Sequence, residues 1–165
     1  MIAIIGCGNA NRTDDAAGLE VIRMLQAREA LRSRTDVHLL EAGTDGMAVM
    51  FAARGATSLI VVDSCQTGAE PAAIFEVPGQ ELENRHEPSL NLHDFRWDHA
   101  LYAGRQIYRD GFPKDVAVYL IEARSLELGC GLSPDIRDAA ANVAQRIEAR
   151  IAAMPSTAPM AGAEL

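Results

Sequence analysis

Only three cysteines, Cys7, Cys65 and Cys130, occur in 165 residues, and none is set at a CxxC spacing. That excludes a disulfide framework or a thiolate-built structural zinc site as the organising feature. Basic residues are in deficit, with 15 Lys+Arg against 23 Asp+Glu, a formal net charge of −8 and a sequence pI near 4.9. No basic stripe offsets this balance, so neither nucleic acid nor an anionic membrane is expected as a partner. No apolar run approaches the roughly 18–20 residues of a membrane helix. Met1 enters a strand-like segment directly, without a charged and then apolar leader, so a cytoplasmic location is expected. The GxSxG elbow, the HExxH helix and the Walker phosphate loop are all missing, which leaves no conventional hydrolytic nucleophile in view. There is no His-rich tract or Cys cluster of the kind a metal carrier would use.

What is present is the balance of a globular protein, 48% hydrophobic and 23% charged residues, in a chain long enough to bury one core. Strand-like and helix-like segments alternate. Met1–Ile5 is a short apolar run ending in the glycine turn GCGN. From Thr13 to about Arg28 the spacing is helical, with Leu19, Ile22 and Leu25 on one face, Thr13 as the expected N-cap, and Asp14 and Asp15 in the first turn. Val37–Ala42 reads as a strand closed by GTDG, and Met47–Arg54 as a short helix. Ser58–Asp63 is a continuous β-branched run, the mark of a strand buried on both faces. A strand is expected at Ala73–Val77, a long loop over Pro78–Leu92 and a helix over Asp94–Arg109. A second buried strand follows at Asp115–Ala123. Ser133 is then expected to cap a long helix with Pro134 at its first position, running to about Met154. The pattern predicts one domain over residues 1–154 and a frayed tail over 155–165. Its fold class is α/β, a three-layer sandwich with a mainly parallel twisted sheet flanked by helices.

In such sheets ligands gather at the carboxyl ends of the strands, so the turns after Ile5, Ala42 and Asp63 matter most. The first, GCGNANRTDD, invites a dinucleotide-binding reading, but Asn11 stands where the third glycine belongs. Asp14 and Asp15 would also repel a phosphate at that helix start. Carboxylates at a strand's carboxyl edge suit a cation better. Asp63 ends a strand otherwise built of Leu59, Ile60, Val61 and Val62, and in isolation it can simply cap the next turn. If the first and third strands are neighbours, Asp15 and Asp63 approach one edge, where two carboxylates share a proton or hold a metal. Among the histidines, His38 in a strand and His99 beside Phe95 and Trp97 read as structural, and His86 falls in the long loop. His93, just before a helix, can reach across the sheet edge, giving a mixed oxygen and imidazole set suited to nickel, zinc, copper or iron. Cys7 and Cys65 flank these turns and read as small buried hydrophobes.

These motifs together resemble one family. IIGCGNANRTDDAAGLEV is similar to the opening signature of the [NiFe]-hydrogenase maturation endopeptidases: a strand, then GxGN, then a D-[DE]-x-x-G helix start. EAGTDGM at Glu41–Met47, LIVVDS at Leu59–Ser64, SLNLHD at Ser89–Asp94 and LELGCGLSP at Leu126–Pro134 agree with it in order and spacing. The resemblance covers about the first 150 residues.

The resemblance implies a phosphorylase/hydrolase-like α/β fold and an endopeptidase that removes the C-terminal extension of the [NiFe]-hydrogenase large-subunit precursor after nickel insertion. The family's metal-contacting trio falls on Asp15, Asp63 and His93, with Asp14 the nearest competitor of Asp15. Asn9 of the GxGN turn, with Thr44 and Asp45 of GTDG, is expected to hold the substrate chain. Nickel would be carried by the precursor and serve as the recognition element, with no resident cofactor. A rival mechanism makes Asp15 and Asp63 an acid–base pair acting directly on water, as in aspartic proteases. Competing readings are a non-enzymatic metal- or nucleotide-binding α/β protein, or a peptidase of the same fold with another substrate.

Overall fold

The computed structural model describes residues 1–83 and 96–156. Its order is β1 (Ile2–Cys7), a 3-10 turn (Thr13–Ala16), α1 (Ala17–Gln26), α2 (Glu29–Arg32), β2 (Val37–Gly43), α3 (Gly46–Ala53), β3 (Ser58–Cys65), β4 (Ile74–Pro78), α4 (Gly79–Glu83), α5 (Trp97–Tyr108), β5 (Asp115–Glu122) and α6 (Pro134–Ala152). The five strands lie in the order β2-β1-β3-β5-β4; all pairs are parallel except β4, which runs antiparallel along β5. The expected α/β sandwich is therefore the fold, with an antiparallel edge added.

Side-chain alternation divides the core between the two faces of the sheet. Ile2, Ile4, Ile60, Val62, Ala117, Tyr119 and Ile121 pack against α1 and α6 through Val21, Ile22, Leu25, Val143 and Ile147. Ala3, Ile5, Cys7, Leu59, Val61, Val116 and Val118 pack against α3 and α5 through Val49, Met50, Trp97 and Leu101. Ile4, Ile22, Leu25, Ile60 and Ile147 are fully excluded from solvent, and each such side chain contributes about 1.5–3 kcal/mol of apolar burial. β1 leads through α1 to β2 on one side, whereas β3 leads away to β5 on the other. The two connections diverge between β1 and β3 and open a crevice at their carboxyl ends, the usual ligand position in such a sheet.

Several local expectations change. Thr13 does not cap a helix. The chain makes a 3-10 turn there and α1 starts at Ala17, because Thr13 adopts φ +40° and its Oγ1 donates to the carbonyl of Ser125 at 2.7 Å. The stretch read as a loop from Pro78 begins as the last residue of β4 and the short helix α4, where Leu82 packs on the α3–α5 face of the core. Residues 84–95, which include His86 and His93, lie outside the described residues, as do 157–165 of the expected tail. Among the described residues no helix is long and apolar enough to cross a membrane.

Candidate active site

Three glycines bring the first helix close to the sheet. A β-carbon at Gly18 would collide with the carbonyls of Val62 and Cys7, and one at Gly6 with the carbonyl of Gly18. Gly8, at φ +122°, leaves no room before the Asp15 carbonyl, and a β-carbon there would stand 3.5 Å from Asp63 Oδ1. The helix start can therefore rest on the ends of β1 and β3, and the acids it carries reach the crevice.

Asp14 and Asp15 then part company. Asp14 is fully buried and turns into the protein, accepting the backbone N–H groups of Arg124 (3.1 Å), Ser125 (3.0 Å) and Ser133 (2.7 Å) and the Ser133 hydroxyl (2.9 Å). It anchors the segment that leads into α6 and does not compete for the site. The Ser133 hydroxyl turns to this carboxylate and makes no cap bond to α6. Asp15, half-buried, faces the crevice; it accepts the N–H of Asn9 at 3.1 Å and the hydroxyl of Ser64 at 2.7 Å.

Asp63 ends the part of β3 whose odd-numbered residues face α5, so its carboxylate meets Trp97. The indole Nε1 donates to Oδ2 at 2.6 Å, the N–H of Ser64 donates to Oδ1 at 2.8 Å, and the Arg96 guanidinium stands 3.5 Å from Oδ2. Burial raises the Asp63 pKa to about 6, although the bonds from Trp97 and Ser64 and the charge of Arg96 act to lower it. Ser64 joins the two acids: its hydroxyl serves Asp15 while its N–H serves Asp63. Both line a pocket of about 290 Å³ with Cys7, Gly8, Gly43, Thr44, Asp45, Gly46, Arg96 and Trp97.

The expected substrate contacts divide. Thr44 and Asp45 line the pocket, and Asp45 Oδ1 also caps α3 by accepting the N–H groups of Met47 and Ala48 at 2.9 and 3.1 Å. Asn9 is not among the lining residues; it contributes its backbone N–H to Asp15, and its side-chain oxygen accepts the N–H of Asn11 at 2.9 Å. The turn after β3 leaves the site, because Thr67 and Gly68 donate to the buried carboxylate of Glu122. Cys65 donates to the same group at 3.3 Å, a polar contact that the reading as a small hydrophobe omits. Burial, and then the Glu122 hydrogen bond, push the Cys65 thiol up to about 12. Burial, and then the Asp63 charge, raise Cys7 well above the usual thiol range. Neither is a ready thiolate nucleophile. His99 works locally, accepting the Arg96 N–H at 3.3 Å on Nδ1. His38 is exposed on β2.

Ser64, Arg96 and Trp97 are site residues that sequence reasoning passes over. Ser64 follows Asp63 directly, and Trp97 is the chain's one tryptophan, standing at a helix start on the strand-end side. Among the described residues no group of three His, Cys, Asp or Glu is placed to hold a metal ion, and His93 lies outside them. The arrangement offers two oxygen donors to a cation presented from outside, or a pair of carboxyls, that of Asp63 readily protonated, to a bound water.

Comparison with known proteins identifies relatives of the chain and of its fold. The hydrogenase 2 maturation protease of Escherichia coli K12 is 26% identical over 136 residues, covering 82% of this chain and 80% of that protein. Coenzyme F420 hydrogenase subunit delta of Methanothermobacter thermautotrophicus is 34% identical over 93 residues, 52% of this chain and 59% of that protein, so the match spans less than two thirds of that relative. The solved hydrogenase maturating endopeptidase HybD from E. coli shares the fold, with a TM-score of 0.73 at 22% identity over 92% of this chain and 91% of that one. The family model for the hydrogenase maturation proteases, HycI, matches residues 19–150. With four fifths of its length inside that match, the chain belongs to the hydrogenase maturation protease family, a family of peptidases.

Proposed function

We propose that this chain is a cytoplasmic endopeptidase that removes the C-terminal extension of a [NiFe]-hydrogenase large-subunit precursor once nickel has been inserted. The observation that carries the reading is the pairing of Asp15 and Asp63 through Ser64 in a crevice that Thr44 and Asp45 also line, in a chain of this family. The precursor's nickel is part of the substrate. Asp15 and Asp63 meet it as oxygen ligands, and His93, which enters on the family resemblance alone, is the third. The cation neutralises the carboxylates and polarises the scissile carbonyl for attack by water. Thr44 and Asp45 border the path of the substrate chain. The neutral thiols of Cys7 and Cys65 favour attack by water over a covalent thioester route.

A second reading draws on the burial of Asp63, which holds its pKa near 6. A carboxyl that changes protonation there can exchange a proton with water beside the Asp15 carboxyl, as in an aspartic-protease dyad. The two readings part on the metal. Nickel-loaded and nickel-free precursor are incubated with the protein under anaerobic conditions, and C-terminal shortening is followed by mass. Cleavage of the loaded form alone is the expected result. Equal cleavage of both forms would favour the dyad, and cleavage of neither cognate form by folded protein would remove the peptidase reading.

A further inference from the structure

The crevice that holds Asp15 and Asp63 also holds Asp45, and among the described residues lining it Arg96 is the one cation. Arg96 and its neighbour Trp97 both reach Oδ2 of Asp63, on very different terms. The Trp97 bond is 2.6 Å long and buried. The Arg96 contact is 3.5 Å, and its side chain is 66% exposed while that of Asp63 is 4% exposed. A guanidinium at that distance and exposure compensates charge but is weakly held, because little desolvation or geometry fixes it. A buried carboxylate that loses its compensating charge attracts another cation.

We propose that Arg96 is the exchangeable counter-ion of this pocket: it occupies the charge position at Asp63 until the metal of the precursor arrives, and so screens the site against free divalent ions. Trp97 keeps the carboxylate oriented through the exchange. Two successive residues thus divide the work, one fixing the ligand and the other guarding it. Selectivity for a metal delivered on a protein follows, since a docked precursor brings contact energy to displace the guanidinium and a free ion does not. The inference rests on the reading that Asp15 and Asp63 meet the precursor's nickel.

Its test uses nickel chloride alone, titrated calorimetrically at low ionic strength into the full-length wild type, R96Q, R96K and the double variant R96Q/D63N. R96Q should bind Ni²⁺ about tenfold more tightly than the wild type, the size expected for removing one weakly held ion pair and its repulsion of the ion. R96K keeps the charge and should stay within about twofold of the wild type. The gain should vanish in the double variant. Equal affinity of R96Q and wild type would overturn the inference, and so would a gain that survives loss of Asp63, which would place the ion elsewhere. Failure here is separable from failure of the peptidase reading. A wild type that shortens nickel-loaded precursor while R96Q shows no gain disproves the counter-ion alone. A wild type that cleaves no precursor disproves the peptidase whatever the calorimetry shows.

Discussion

Trp97 Nε1 donates to Asp63 Oδ2 at 2.6 Å, a buried hydrogen bond that ties the start of α5 to the end of β3. The indole thereby sets the direction of one of the two site carboxylates. Trp97→Phe keeps an aromatic ring in the α3–α5 core while removing the donor and part of the indole's volume. The expected stability loss is about 1–3 kcal/mol, the cost of leaving a buried acceptor short of a partner. Precursor processing should fall roughly 10- to 100-fold, because a misaimed carboxylate loses its geometry. Urea denaturation and single-turnover processing measure the two effects. Unchanged processing in a destabilised variant would show that the bond is structural only.

The same bond makes Trp97 a reporter of Asp63 titration, and as the only tryptophan it gives a single indole N–H signal. That resonance should shift with a midpoint near 6, since burial raises Asp63 from its ordinary 3.8 to about 6. The sign for stability follows. An acid whose pKa is raised on folding holds its proton more tightly in the native state, so its contribution falls as pH rises between the unfolded and folded values. The stability of the wild type minus that of D63N should therefore drop by about 2–3 kcal/mol between roughly pH 4 and pH 7. Denaturant unfolding across that range checks it. A difference that rises with pH would mean Asp63 is held ionised instead.

Asp14 and Asp15 should fail in opposite ways. Asp14→Ala removes the buried acceptor of three part-buried backbone N–H groups and a hydroxyl, a loss of roughly 3 kcal/mol. Asp15→Asn touches a half-buried group, so stability should change by no more than about 1 kcal/mol, while processing should drop at least about 100-fold. Thermal melts and precursor cleavage on both variants separate the roles, and a stable Asp14→Ala protein would contradict the anchoring role.

How far the site was legible in the sequence follows from these residues. Alternation of apolar runs and glycine turns is enough to read the five strands and the longer helices, because each is a local consequence of burial and spacing. It does not give the short helices α2 and α4, the antiparallel pairing of β4 or the run of β3 two residues past Asp63 to Cys65. The division of labour between Asp14 and Asp15 was not local. It depends on the Thr13 turn, which is held by the carbonyls of Gly129 and Ser125 more than a hundred residues away. The face on which Asp63 emerges was hidden too, since Leu59 to Val62 are apolar on both sides and show no alternation. With the face unknown, Trp97 could not be paired with Asp63, nor Ser64 recognised as the link between the acids. Asn9 stood inside the family motif, and only the backbone path shows that its N–H, not its side chain, reaches Asp15.

Gly18 tests whether the closeness of α1 to the sheet is what builds the site. Gly18→Ala introduces a β-carbon against the carbonyls of Val62 and Cys7. Helical propensity alone would favour alanine by about 1 kcal/mol at this position. Contact with two strand backbones reverses the sign, because neither carbonyl can rotate out of the ladder. The helix must then move outward, at a cost of about 1–3 kcal/mol for overpacking. Asp15 lies three residues earlier on the same rigid start, so it moves with the helix and its 2.7 Å bond to Ser64 is lost. Processing should therefore fall well beyond what the stability loss explains at temperatures where the variant remains folded. Circular dichroism melts paired with cleavage assays below the transition read this directly. A G18A protein that is as stable and as active as the wild type would show that α1 can sit farther out without disturbing Asp15.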